Sequence, residues 1–565
     1  MSLAANAPAI TKRPGVISFD WYTLAVYCEW LVAAGATLIV VHRHWLNLKY
    51  AGALWRDEAN TAEFAKLPSW RDIIENLQWD SFPILSTALL RIWGYLPGGT
   101  TDEGLRWIGL LVGVGILAGL WWLAYRAHGG PPSLALLLWG MNPVAVRFGD
   151  SVRPHGLGIL WMVLVWSSIA RVVPASKARD VEANSTSSTN SLPVGWMNWL
   201  VAGTLSIAAV QTLFPNAVIL GGLLAAGVVA ALGAHHWRRA LGLVAVGAAA
   251  AASLLPYLPA IRTASEWSEV FDMNVGVAQV FSSLQVVLTL PVAFFSLVWF
   301  FLPIALVGAT VLTWWSPTPA ARARRFRSLF ALLAGLFGCG GYFVLVDRGS
   351  FFPQAWHWLP VLALGAAAAE QVGGGWRAIS VVRSGLLVLA LLASATSNQR
   401  LLSRYLTNID LAAAHVTEAA RPGDLIIVEP WYWSVSFHRY YHGRVPWLTI
   451  PPLEVTNLHR YDLLRLQLQA DDATAAVKQA IAQTLRAGGR VWIVGDLPRV
   501  IGDEAEFEKV RGQQLSTGAR AALWSMEVGY FLQQHEQQRR EVTLLNERPI
   551  MVEEVTLFVA EGWRP

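Results

Sequence analysis

Two adjacent carboxylates, Asp57 and Glu58, stand in the stretch Leu54-Trp55-Arg56-Asp57-Glu58-Ala59-Asn60, and Asp80 follows in Trp79-Asp80-Ser81-Phe82-Pro83. Only 38 Asp and Glu occur in 565 residues, so such clustering asks for a reason. Other ionisable groups gather at Arg147, Asp150, Arg153 and His155, at Glu266, Glu269 and Asp272, and at Asp347-Arg348. A carboxylate can accept the proton of an attacking hydroxyl, whereas arginine is permanently charged and offers a donor fork that fits phosphate oxygens. A site holding both can deprotonate a nucleophile beside a bound phosphate. The plainer reading is local: Asp57 and Glu58 as hydrated acids capping a helix that begins near Ala59, and Asp150 with Arg153, or Asp347 with Arg348, as loop-stabilising ion pairs. Metal chemistry has less support. His438 and His442 have helical spacing but no third ligand at a recognisable distance, and Cys28 and Cys339 both fall inside apolar runs. No metal site or cofactor is expected, with a divalent cation left open. No Gly-x-Ser-x-Gly elbow, Walker loop or His-Glu-x-x-His motif occurs in a credible context.

The elements that must position these groups are membrane helices. The mean hydropathy is +0.41, and 54% of residues are hydrophobic while 14% are charged; soluble domains carry about a quarter charged residues. The chain reads as a polytopic α-helical membrane protein of about eleven spans, near 21–41, 105–125, 132–146, 155–172, 196–213, 215–234, 240–258, 285–313, 329–346, 353–371 and 384–397. The first run ends in His42-Arg43-His44-Trp45 without a small-residue cleavage site, which describes a retained anchor with a cytoplasmic amino terminus. Arg-rich stretches such as Arg322, Arg324, Arg325 and Arg327 then fall on the cytoplasmic side, as does the linker from about Arg171 to Pro193, and every acidic group named above falls on the outer one. The first external loop, about 45–104, is broken by Pro68, Pro83 and Pro97 into short helices.

From residue 399 to 565 no run is long enough to span. The apolar runs 424–428, 490–494 and 555–559 read as strands, and 404–419 and 470–487 as helices, giving an exported α/β domain after a membrane domain of residues 1–398.

In this setting the motifs resemble those of the GT-C class of polyprenyl-phosphate-sugar-dependent glycosyltransferases, among them the protein O-mannosyltransferases, the aminoarabinose transferases and the lipopolysaccharide-core galacturonosyltransferases. Trp55-Arg56-Asp57-Glu58-Ala59 resembles their Asp-Glu-Ala motif after the first helix, and Asp80 and Pro83 match a second motif in which Ser81 and Phe82 depart from the polar-His-Pro pattern. Asn142-Pro143 with Arg147 to His155 is similar to the second-loop signature, with His155 where Tyr is usual. Arg348-Gly349-Ser350-Phe351-Phe352-Pro353 is similar to a late Arg-Tyr-x-x-Pro motif. The resemblance covers about residues 20–400. It implies a multi-pass enzyme of the bacterial inner membrane that moves a sugar from a polyprenyl phosphate to a hydroxyl of an envelope lipid, glycan or protein at the outer face, inverting the anomeric carbon. Asp57 would then be the base, with Glu58 and Asp80 supporting it. Arg153 and Arg348 would hold the donor phosphate, and Asp150, His155 and Glu266 would contact donor or acceptor. The rival readings are a transporter or flippase, which expects charges near the bilayer midplane, and an assembly subunit whose exported cap binds an envelope partner.

Overall fold

A computed structural model describes residues 21–80, 82–174, 195–266, 275–349, 352–499, 510 and 515–565. Among the described residues, eight helices are long and apolar enough to cross a membrane: Trp21–Tyr50, Asp102–His128, Pro154–Val172, Asn216–Gly233, Trp237–Ser265, Phe295–Trp315, Pro319–Arg348 and Arg377–Leu402. The other three expected spans are shorter or broken. Trp196–Val210 and Leu359–Gly373 have 15 residues each, about 22 Å of helix against a bilayer core of about 30 Å. The segment near 132–146 is a turn, Ser133–Ala135, a π-helical stretch, Leu136–Gly140, and a separate helix, Pro143–Gly149. Asn142 starts that last helix by accepting the Val144 amide, and Pro143 has no N–H to waste at its first position. The expected span 285–313 is likewise two helices, Val277–Leu288 and Phe295–Trp315, with Pro291 in the break.

The first helix continues through His42-Arg43-His44 to Tyr50, past the expected end at Val41. Its polar residues find internal partners: Arg43 donates to the Gly140 carbonyl at 3.2 Å and to Ser394 Oγ at 3.1 Å, and His44 Nδ1 lies 2.8 Å from Asp150. In lipid the hydrophobic effect does not drive helices together, so close backbone approach and buried polar ties must do so. Both are present. A Cβ on Gly222 would overlap the backbone at Phe337 and Gly338, so Asn216–Gly233 and Pro319–Arg348 meet where neither has a side chain. Glu29 and Arg383 join the first and last long helices by a buried two-pronged pair at 2.7 Å. Gly109 and Gly113, one turn apart, leave room for Asp150, which any Cβ there would strike.

The α/β part holds a five-stranded sheet ordered β3-β2-β4-β7-β5, where β2 is Leu425–Val428, β3 Trp447–Thr449, β4 Val491–Val494, β5 Glu536–Glu541 and β7 Leu557–Trp563. The first three are parallel and β7 is antiparallel to both of its neighbours. Leu425 and Ile427 face a cluster with Val477, Ile481 and Val528, while Ile426 and Val428 face Ile409 and Val416. Burial on both faces is why these strands read as continuous apolar runs. A separate pair, β1 (Tyr405–Thr407) and β6 (Ile550–Glu553), lies where the chain leaves its last long helix.

The α/β part is seated on the first loop, whose short helices are Arg56–Ala65, Trp70–Glu75 and Ile84–Trp93. The Leu406 amide donates to the Ala51 carbonyl at 2.9 Å and the Leu54 amide to the Tyr440 hydroxyl at 2.7 Å. Arg439 reaches Glu63 at 2.6 Å and Asp102 at 2.7 Å, and Leu458 packs with Phe64 and Ile73.

Candidate active site

The helix Arg56–Ala65 carries Asp57 and Glu58 in its first turn, where the exposed amide ends favour negative charge. Neither side chain caps it. The Arg56 amide, one of the orphan donors, is satisfied from outside by Glu553 Oε2 at 3.1 Å, a residue of β6.

The two neighbouring acids face different surroundings. Glu58 is fully buried; its Oε1 takes Arg106 Nη1 at 2.5 Å and the Val152 amide at 3.1 Å. It locks the loop to the helix Asp102–His128 and to the turn before Arg153, so its place is that of a structural tie and not of a group open to substrate. Asp57 is 19% exposed and lies between two guanidinium groups, Arg56 at 3.3 Å and Arg153 in a direct ion pair. Burial opposes ionisation of Asp57, but Arg153, Arg56 and His459 together hold its carboxyl below the usual range.

Arg153 is fixed as the residue before Pro154, which starts the next long helix. Its guanidinium lies over Phe82 at 5.1 Å and beside Trp55 at 6.0 Å, and its Nε is buried with no partner. Asp80 completes the group. It is buried and accepts from Asn60 at 3.3 Å, Thr87 at 3.4 Å and Thr61 at 3.5 Å. Desolvation raises its carboxyl to about 7 despite Arg153 and these three donors. The structure therefore gathers Asp57, Asp80 and Arg153.

The remaining expected residues lie elsewhere. Asp150 is buried on His44 at 2.8 Å and Asn47 at 3.4 Å, turned into the helix bundle. His155 is buried with its ring 5.8 Å from Phe82 and 6.2 Å from His357, behind Arg153. Glu266 is 65% exposed, and its nearest cation is Arg465 at 3.8 Å. Arg348 is exposed on the last turn of Pro319–Arg348, and no hydrogen bond or ion pair joins it to the Asp57 group. Glu269, Asp272 and most of the expected linker lie outside the described residues, as do Ser81, Ser350 and Phe351. Among the described residues, no group of three or more His, Cys, Asp or Glu side chains is placed to hold a metal ion.

Sequence reasoning missed the roof. Arg56 lies over the Tyr432 ring at 4.4 Å, and its Nε is 3.6 Å from Glu553 Oε1. The His459 amide donates to Asn60 Oδ1 at 2.9 Å, and desolvation, resisted by Asp57, pushes its imidazole down to about 4. Desolvation and the charges of Asp57 and Asp80 raise the Tyr461 phenol. Burial raises Glu553 to about 7 against the pull of Arg56. These residues come from separate elements of the α/β part, hundreds of positions away, and no local pattern marks them.

An apolar cavity of about 420 Å³ lies beside Arg153, between the helices Ile84–Trp93, Asp102–His128 and Pro154–Val172. Trp93, Leu96, Leu111, Val112, Leu157 and Leu160 line it, and Arg153 is the one charged residue of its wall among those described.

A multi-helix membrane part with a short-helix first loop under an α/β cap is a GT-C fold, and solved structures share it. The crystal structure of ArnT from Cupriavidus metallidurans bound to undecaprenyl phosphate matches 94% of this chain and 97% of its own, at 12% identity and a TM-score of 0.50. The oligosaccharyltransferase AglB from Archaeoglobus fulgidus, in complex with an inhibitory peptide and a dolichol-phosphate, matches over 92% of this chain and 73% of its own, at 13% identity and a TM-score of 0.50. No protein-family model and no curated protein sequence matches the chain.

Proposed function

We propose that the chain is an inverting glycosyltransferase that takes a sugar from a polyprenyl phosphate carrier and places it on a hydroxyl of a cell-envelope acceptor. One observation carries the reading: the Asp57 carboxylate pairs with Arg153, and Arg153 stands in the wall of an apolar cavity between the long helices Asp102–His128 and Pro154–Val172 and the loop helix Ile84–Trp93. The cavity suits an isoprenoid tail, and Arg153, with Nε unspent, suits the phosphate that ends it. The carriers in the ArnT and AglB structures, undecaprenyl phosphate and a dolichol-phosphate, have that chemistry.

In this reaction the acceptor oxygen attacks the anomeric carbon opposite the phosphate. The bond from that carbon to the phosphate oxygen breaks, its electron pair leaves with the phosphate, and the acceptor proton passes to Asp57. While Arg153 sits on Asp57 the carboxylate is a weak base; a phosphate that draws the guanidinium away raises its proton affinity when donor is bound. Asp80, at about 7, is the reserve proton acceptor behind it. The roof of Tyr432, His459, Tyr461 and Glu553 closes over Asp57 and faces the acceptor. Glu58 holds the loop in place. Arg348 is retained as a second phosphate ligand from the end of the helix Pro319–Arg348, and Asp150, His155 and Glu266 as contacts to donor or acceptor.

The site faces outward, with the amino terminus in the cytoplasm and residues 399–565 forming an exported domain on a bacterial inner membrane. A reporter fused after Asn398 should then work only outside the cytoplasm. The decisive experiment is reconstitution of the purified chain with polyprenyl-phosphate sugars and an envelope lipid extract. Sugar transfer that needs Asp57 supports the reading; carrier translocation without transfer would favour a flippase instead.

A further inference from the structure

The opposite end of the helical part holds a second cavity, of about 280 Å³. The helices Asp102–His128 and Pro154–Val172 begin beside Asp57 and end here; 27 residues at 1.5 Å each set His128 about 40 Å from Asp102. Arg126, Arg171, Arg324 and Arg327 line the cavity with His128 and Gln371, and no carboxylate does so among the described residues.

Four like charges around one cavity repel. Arg327 feels Arg126, Arg324 and Arg239, and Arg171 feels Arg126. Glu370, which stands behind His128, is already spent: Oε1 lies 2.8 Å from His128 Nε2, and Oε2 accepts the Leu134 and Ala135 amides at 2.9 Å. Arg324 donates to the Gly375 carbonyl at 2.9 Å. Arg126, Arg171 and Arg327 donate no side-chain hydrogen bond to any described residue, and the Nε atoms of Arg171 and Arg327 are buried without a partner. Ordinary topology-setting arginines extend into water or headgroups, as the exposed Arg126 does, whereas Arg171, Arg324 and Arg327 are half-buried around a space between helices. Arg126 and Arg171 also lie 5.5 and 4.9 Å from the ring of Trp122, half exposed on the lipid side, as suits the headgroup level.

We propose that this cavity is a second phosphate site, separate from the transfer site, that takes a phosphate group at the opposite membrane face. An anionic phospholipid headgroup and free phosphate share that chemistry. Either would neutralise the arginines and satisfy the unspent donors, since guanidinium groups bind phosphate oxygens in pairs.

The test uses the full chain in detergent micelles and a fluorescent phosphatidylglycerol. Saturable binding is expected, indifferent to phosphatidylcholine and weakened about tenfold or more in an Arg126→Gln/Arg327→Gln variant. Competition by millimolar inorganic phosphate would assign the cavity to the free anion; its absence would assign it to the lipid. Wild-type protein that binds neither phosphatidylglycerol nor phosphate saturably overturns the proposal. So does displacement of the probe by phosphatidylcholine, or equal affinity in the folded variant. Should that variant fail to fold, Arg171→Gln goes through the same assay and is read the same way.

Discussion

Asp57 and Glu58 are neighbours in sequence and on one helical turn, yet one faces the space under the α/β cap and the other the interior of the bundle. Glu58 has one guanidinium, one amide and no access to solvent. Asp57 keeps partial exposure and two cationic partners, one of which, Arg153, lines the neighbouring cavity. The same chemical group is thus a buried fastener on one side and, on the other, the half-open carboxylate that the proposed mechanism uses as its base. The contrast teaches that a paired-acid motif states where a site is without stating which acid works there.

The contrast is broken most severely at Asp57. Asp57→Asn should cut sugar transfer by about 10²–10⁴-fold, the worth of a positioned base, while the protein folds and binds donor. Full transfer by purified Asp57→Asn protein would remove it from the mechanism. Glu58→Gln should do the reverse. It strands the Arg106 charge, so stability should fall by about 3–5 kcal/mol, read as a lower unfolding temperature, while the protein that folds keeps most of its turnover. A Glu58→Gln protein that is stable but inactive would reverse the two roles.

A smaller effect should separate the two arginines. Arg153→Lys should weaken donor use by roughly tenfold or more, because an ammonium cannot reproduce a bidentate fork. Arg348→Lys should cost less, because its side chain is exposed and apart from Asp57. Equal losses would place both on the phosphate.

The smallest effect is on pH. Asp80 and Glu553 titrate near 7 and Glu429, buried beside Ser525, near 8, all raised first by desolvation. In the unfolded chain these groups ionise near 4. Between about pH 4 and 8 the unfolded state therefore loses protons that the folded state keeps, and stability falls as pH rises, levelling off above 8. Asp80→Asn should flatten part of that decline in unfolding temperature. A wild-type profile that rises from pH 5 to 8 would contradict it.

How much was legible follows from what each feature depends on. The membrane class, eight of the long helices and the strands near 425, 491 and 557 were readable because hydropathy runs and composition are local and the bilayer enforces them. The short or broken spans, 285–313 among them, were not, since their polar ends and breaks are satisfied by neighbours the sequence does not display, as when Asn142 Nδ2 donates to the Val287 carbonyl at 2.9 Å. Asp57, Asp80 and Arg153, which the structure brings together, could be named from motif and spacing. The sequence by itself determined that carboxylates and arginines would collect at one end of a helical membrane protein. Only the tertiary structure decided which of them meet: it turned Glu58 and Asp150 inward to Arg106 and His44, and brought His459, Tyr461 and Glu553 from the far end of the chain over Asp57. Pairing of charges depends on distance in space, and distance in space is set by helix packing and cap docking, which no local pattern encodes.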